Sequence, residues 1–189
     1  MNGSFYLQLV NPSHPAVLVP DAADLLPAHP AFPDILLERY AALALRALLA
    51  RLDAFSEIVP VSGFRTLAEQ QKIWDDTLRD QGPVYTRKFV AVPGCSEHQT
   101  GLAIDLAANR PDIDFICPNF PATGVYQEFR RLAPEYGFVL RYPKGKEHLT
   151  QIACEPWHFR YVGTPHAAIL TERGLVLEEY LEERRQAVS

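Results

Sequence analysis

The sequence predicts an α+β fold: a small, mostly antiparallel sheet with helices packed around it. Three observations predict it. Short β-prone runs at residues 57–62, 102–107, 138–142 and 158–162 alternate irregularly with stretches of helical apolar spacing. Gly or Pro marks several of the changes, at Gly63, Gly82-Pro83 and Gly137. No internal repeat or linker composition interrupts the chain, so one domain over residues 1–189 is expected.

Taken in order, residues 1–33 carry Pro12, Pro15, Pro20, Pro27, Pro30 and Pro33. They predict an irregular arm that wraps the surface, with one short edge strand at Val17-Leu18-Val19. From Asp34 the apolar residues Ile35, Leu36, Tyr40, Leu43, Leu48 and Leu52 predict one long helix to about Phe55. The run 57–62 is a strand ended by Gly63. Thr66-Leu67-Ala68-Glu69 has capping-box spacing and starts a second helix, which Gly82-Pro83 stops. A loop through 85–94 precedes the strand 102–107, and the Pro-rich stretch 108–123 is a long loop. A third helix is expected over 125–136 with Gly137 as its C-cap, then the strand 138–142, a turn over 143–148 and the strand 158–162. Helices near 165–172 and 177–185 close the chain.

At 189 residues with 48% hydrophobic and 22% charged residues, the chain can bury an ordinary core. Its net charge of -5 argues against nucleic acid or an anionic membrane surface as the main partner. The most apolar segment, 35–55, carries Glu38, Arg39, Arg46, Arg51 and Asp53, so no membrane span is expected. The N-terminus shows no basic region followed by an apolar core, and the three cysteines (Cys95, Cys117, Cys154) are odd in number. Reduced thiols and a cytoplasmic location follow as expectations.

The chemistry concentrates in Ser96-Glu97-His98-Gln99-Thr100-Gly101-Leu102-Ala103-Ile104-Asp105 and in Glu155-Pro156-Trp157-His158. Gly101 makes a turn of the segment between His98 and Asp105. On the following strand Ala103 and Asp105 share one face, Leu102 and Ile104 the other. An Asp within an apolar strand is costly unless paired or bound to metal, which points to ligation beside His98. Pro156 keeps Glu155 out of the α region, so Glu155 and His158 are not a helical pair. An extended segment would instead aim His158 at the cleft of Asp105, with Glu155 beside it. Two imidazoles, one carboxylate and a nearby base are the needs of a catalytic zinc site: His98, Asp105 and His158 as ligands, Glu155 as base. His14, His29, His148 and His166 lie in loop contexts and are expected at the surface. Cys95 and Cys154 are alternative thiolate ligands, less suited to a hydrolytic site.

These residues resemble the zinc D,D-peptidases of the VanX, VanY and VanXY type. The resemblance rests on Ser96-x-His98-x-x-Gly101-x-Ala103-x-Asp105 with Glu155-x-x-His158. It extends over Ser62-Gly63-Phe64-Arg65, residues 89–99, residues 136–143 and residues 155–163, and the opening Leu7-Gln8-Leu9-Val10-Asn11 is most similar to the soluble VanXY type. It implies a D,D-peptidase/hedgehog-like fold with one Zn²⁺ in a cleft, bound by His98, Asp105 and His158, and Glu155 as general base. It further implies Arg65 on the scissile carbonyl oxygen and Ser96 on the substrate's terminal carboxylate, with Gln70 and Trp157 in the pocket.

Dipeptidases of this family typically carry Asp where this chain has Ser62, placed to pair with a dipeptide's ammonium. Ser62 therefore implies a preference for longer peptides. The expected activity is removal of the C-terminal D-Ala from peptidoglycan precursors ending in D-Ala-D-Ala, with some dipeptidase activity, which would deplete the target of vancomycin-type antibiotics. The alternatives are an L,D-carboxypeptidase or endopeptidase of the same fold, or a non-catalytic zinc-binding protein. Retention of Glu155 and Arg65 argues against the last.

Overall fold

The computed structural model describes residues 3–188. In chain order its elements are α1 (Gly3–Tyr6), β1 (Leu25–His29), β2 (Phe32–Glu38), α2 (Arg39–Leu52), β3 (Ile58–Ser62), α3 (Leu67–Phe89), β4 (Ala103–Ala108), α4 (Val125–Leu132), β5 (Phe138–Tyr142), α5 (Glu147–Thr150), β6 (Glu155–Tyr161), α6 (His166–Arg173) and α7 (Leu177–Val188). Four strands form one wholly antiparallel sheet in the order β3-β4-β6-β5, and β1 and β2 form a separate antiparallel hairpin. The α+β expectation is borne out. Among the described residues no helix is long and apolar enough to cross a membrane.

The period-two alternation of β4 and β6 divides the molecule. Ile104, Leu106 and Phe159 point into an apolar core with Leu45, Leu48 and Leu49 of α2 and Phe129 of α4, all at most 1% exposed. Phe120, Phe129 and Phe159 meet edge to face there, with ring centroids 5.0 to 5.6 Å apart. The opposite face carries Asp105, His158, Arg141 and Arg160, all buried. A polar layer inside a small protein must be internally paired, and this layer is where the site lies.

Three expectations are corrected. The helix expected from Asp34 begins only at Arg39, and Ile35 and Leu36 lie in β2. The strand runs into the helix with no intervening loop: the Glu38 carboxylate accepts from the backbone N–H of Tyr40 and Ala41 at 2.9 and 3.2 Å and caps α2 by itself. Second, the arm contains a full hairpin, and its expected strand at Val17-Leu18-Val19 is absent. In a two-stranded sheet both strands are edges, so Pro27 and Pro33 are tolerated within them. Val17 is instead 74% exposed, and the Gln8 side-chain carbonyl accepts from the N–H of Val17 and Leu18, each at 2.8 Å. Third, Gly82-Pro83 kinks α3 without ending it. Gly82 leaves the helical region (φ 79°, ψ 171°), Pro83 restarts the helix, and it runs on to Phe89. The capping box at Thr66 and Glu69 forms as expected, with Thr66 Oγ1 accepting from Glu69 N at 3.2 Å.

Candidate active site

Asp105 and His158 face each other across the β4–β6 ladder as direct cross-strand partners. His158 Nδ1 lies 2.9 Å from Asp105 Oδ1. The third residue arrives on the 3-10 turn Glu97–Thr100, closed by Gly101 in the left-handed region (φ 68°). No Cβ fits comfortably at Gly101: it would come 3.1 Å from the Glu38 nitrogen, which donates to the Gly101 carbonyl at 2.8 Å. This turn sets His98 Nε2 3.1 Å from Asp105 Oδ2. One ligand atom from each of His98, Asp105 and His158 lies within 4.8 Å of the others, and all three residues are buried.

The outer nitrogens are also engaged. His98 Nδ1 donates to the Gly63 carbonyl at 2.7 Å, leaving Nε2 for the cluster. His158 Nε2 is 3.4 Å from Glu97 Oε2, leaving Nδ1 for the cluster. Two imidazole nitrogens and a carboxylate, oriented by outer hydrogen bonds, are a donor set that suits a zinc ion.

Glu155 opens β6, with its Oε2 3.8 Å from His158 Nδ1. Burial pushes its carboxyl up to about 8, opposed by His158 and reinforced by Asp105. For His158, burial works against the proton, but hydrogen bonds to Asp105 and Glu97 raise it to about 9. His98 falls to about 4, through burial and the nearby Arg65 cation. Asp105, despite its burial, is held well below the usual carboxylate range by the two imidazoles.

Arg65 follows β3, and its Nη1 donates to Ser62 Oγ at 2.9 Å. Its Nε is buried without a hydrogen-bond partner, and its guanidinium lines the cleft that holds the His–Asp–His cluster. Burial lowers its pKa and the Asp105 and Glu155 carboxylates oppose that. A cation with a spare donor beside a base is equipped to stabilise negative charge developing on a substrate.

Of the other expected residues, Ser96 and Trp157 line this cleft. Gln70 and Ser62 do not. Gln70 is fully buried, and its Nε2 donates to the carbonyl of Ala91, a wall residue, at 2.7 Å. The Ser62 hydroxyl is turned to Arg65. The cysteines are free thiols and none belongs to the ligand cluster. His29 corrects the expectation of a surface residue: it is 3% exposed, set between Phe32 and Phe55, with Nε2 2.9 Å from the Phe55 carbonyl.

Sequence reasoning missed the apolar walls Ile73, Phe89, Phe115, Ile116 and Ile152, and also Tyr142, whose ring lies 4.7 Å from that of His158. Phe115-Ile116 stood out as an apolar pair in a polar loop, a signal that was available. The role of Glu97 had no such signal, because its partners are distant in sequence.

The family model described as VanY, D-alanyl-D-alanine carboxypeptidase, matches residues 34–164, the span that contains every residue of the cluster. The chain belongs to the VanY family. VanXYC of Enterococcus gallinarum, a bifunctional D-Ala-D-Ala dipeptidase and D-Ala-D-Ala carboxypeptidase, is 40% identical over 183 residues, covering 96% of each chain. The crystal structure of the vancomycin resistance D,D-dipeptidase VanXYg with a D-Ala-D-Ala phosphinate analog superposes with a TM-score of 0.90 at 51% identity, covering 94% of this chain and 70% of that one. A mutant of the vancomycin resistance D,D-pentapeptidase VanY from a VanB-type cassette, in complex with Zn(II), gives a TM-score of 0.71 at 31% identity, covering 94% and 99%. The chain is thus a member of a peptidase family, with the VanX/VanY peptidase fold.

Proposed function

We propose that this VanY-family protein is a zinc D,D-carboxypeptidase that removes the C-terminal D-Ala from peptidoglycan precursor peptides ending in D-Ala-D-Ala, with D-Ala-D-Ala dipeptidase activity beside it. One observation carries the reading: the ligand atoms of His98, Asp105 and His158 converge within 4.8 Å in the cleft that also presents Glu155 and the spare donor of Arg65. Bound there, zinc supplies Lewis acidity and lowers the pKa of water. Glu155 takes the proton of the attacking water and returns it to the leaving D-Ala amine, a role that its raised pKa of about 8 suits. Arg65 donates to the carbonyl oxygen as charge builds on it. Ser96, at the cleft wall, receives the terminal carboxylate, and Trp157 and the apolar walls pack the D-Ala methyl groups.

Ser62 supports the longer substrate, since a hydroxyl already engaged by Arg65 offers no charge to a dipeptide ammonium. The free thiols Cys95, Cys117 and Cys154 support a reducing cytoplasm as the place of action. There, trimming precursors would remove the terminus that vancomycin-type antibiotics bind.

The test is D-Ala release by zinc-loaded protein from a D-Ala-D-Ala pentapeptide precursor, free D-Ala-D-Ala, and a tetrapeptide ending in an L,D pair. We expect the pentapeptide to be the best substrate and E155Q to retain zinc while losing about 10²–10⁴ in rate. Release only from the L,D tetrapeptide would transfer the assignment to L,D-carboxypeptidases. No release from any, with zinc bound, would leave the non-catalytic reading.

A further inference from the structure

The polar layer extends beyond the site as a continuous buried chain of charges. Glu97 is 2% exposed and forms the outer contact of His158. Its Oε1 accepts from Arg141 Nε at 2.7 Å and forms an ion pair with Arg160 Nη1 at 2.9 Å. Arg141, 1% exposed, then turns its two terminal nitrogens to Glu178 on α7, donating to Oε2 at 2.9 Å and Oε1 at 2.7 Å in a bidentate pair. Asn11 donates to the same Glu178 oxygen at 3.2 Å, tying in the arm. Arg160 Nη2 donates to the carbonyls of Tyr6 and Gln8 at 3.2 and 2.9 Å, which ties the chain start to the same layer.

We infer that Glu97 is the positioning residue for His158, and that α7 is a working part of the metal site through Glu178 and Arg141. The inference rests on the zinc-peptidase reading above. Strand alternation puts His158 on the correct face but leaves its ring free to turn about χ2, and either nitrogen could then meet Asp105. Glu97 removes that choice by meeting Nε2, so Nδ1 faces the cluster. Glu97 can do this only while its own geometry is held. Two guanidiniums hold it, and the one on β5 is held in turn by the fork of Glu178. Glu179, the next residue of α7, pairs with Lys146 at 2.8 Å instead and has no link to Glu97. It serves as a matched control on the same helix.

The experiment compares E97Q, E178Q and E179Q. Zinc dissociation constants are measured by competition with a chromophoric chelator, and the visible spectrum of the cobalt(II)-substituted protein reports the ligand field of His158. The expected result is a loss of zinc affinity of about 10–100-fold in E97Q, the range for removal of an outer partner of a ligating imidazole, with shifted cobalt bands. E178Q, which keeps Glu97 in place, should show about a tenfold loss and a smaller shift in the same direction. E179Q should match the parent. If E97Q does not fold, the contrast of E178Q with E179Q decides. E97Q or E178Q with parental affinity and spectrum overturns the inference, as do equal effects of E178Q and E179Q. A parent protein that takes up no metal overturns this inference and the zinc reading together, whereas a zinc-binding parent with unaffected variants overturns this one alone.

Discussion

Arg65 Nη1 donates to the Ser62 hydroxyl across 2.9 Å, so the residue expected to choose the substrate also holds the proposed oxyanion donor. The two are linked because the chain leaves β3 at Ser62 and turns back at Gly63, setting a guanidinium three residues on beside the hydroxyl.

That link makes a prediction for S62A and S62D. Removing the hydroxyl costs the guanidinium one hydrogen bond of about 1.5 kcal/mol, so kcat on the pentapeptide should fall about tenfold with little change in KM. A carboxylate at this position would draw Arg65 into an ion pair before it could meet any substrate ammonium. S62D should therefore lower kcat on both pentapeptide and dipeptide. Steady-state kinetics on the two substrates decide this, and a selective rise in dipeptide cleavage would show instead that the position reads the substrate directly.

Arg65 itself should matter in the transition state more than in binding. R65A is expected to lower kcat by about 10²–10³ with a small effect on KM, the pattern for loss of an oxyanion donor. Zinc content should stay at one per chain, measured by atomic absorption on the purified variant. A large rise in KM at unchanged kcat would make Arg65 a ground-state binding residue.

The proton affinities predict how stability varies with pH once zinc is removed by chelator. His158 and Glu155 are raised to about 9 and about 8 from 6.5 and 4.5, so the folded state holds protons that the unfolded chain releases. That stability is lost as pH rises through those values. His98, lowered from 6.5 to about 4, acts in the opposite sense and costs stability as pH falls below 6.5. Between 4.5 and 6.5 the Glu155 and His98 contributions offset each other. The thermal midpoint should be roughly level there and decline from 6.5 to 9. Zinc must displace the His158 proton, so uptake at neutral pH should release protons, seen by calorimetry in buffers of different ionisation enthalpy. A chelated protein whose midpoint rises above pH 7 would contradict these assignments.

Gly63 couples the fold to the site. A Cβ there would come within 2.2 Å of the Leu36 carbonyl oxygen, while the Gly63 carbonyl accepts from His98 Nδ1 at 2.7 Å. G63A should destabilise the protein by about 1–3 kcal/mol through overpacking, and the shifted backbone should also weaken zinc binding. Urea unfolding with and without zinc checks both effects. Lower stability at unchanged zinc affinity would separate the packing role from the orientation of His98.

The sequence by itself determined the strands that carry the site and the residues that converge in it. Short-range physics suffices for these: alternation puts Asp105 on the buried polar face, Pro156 keeps Glu155 extended beside His158, Gly101 closes the turn of His98, and the Thr66–Glu69 box starts α3. Elsewhere local signals misled. Proline argued against strands at Pro27 and Pro33, but a two-stranded hairpin has only edges. Gly82-Pro83 read as a stop, but a helix can restart on a proline whose missing N–H has no partner to lose. Only the tertiary structure decided what surrounds the ligands. Glu97 meets Arg141 and His158 across 44 and 61 residues, and Arg141 meets Glu178 across 37. A buried ion pair leaves no periodicity in a sequence, because each partner is an ordinary charged residue until the fold removes water from around both.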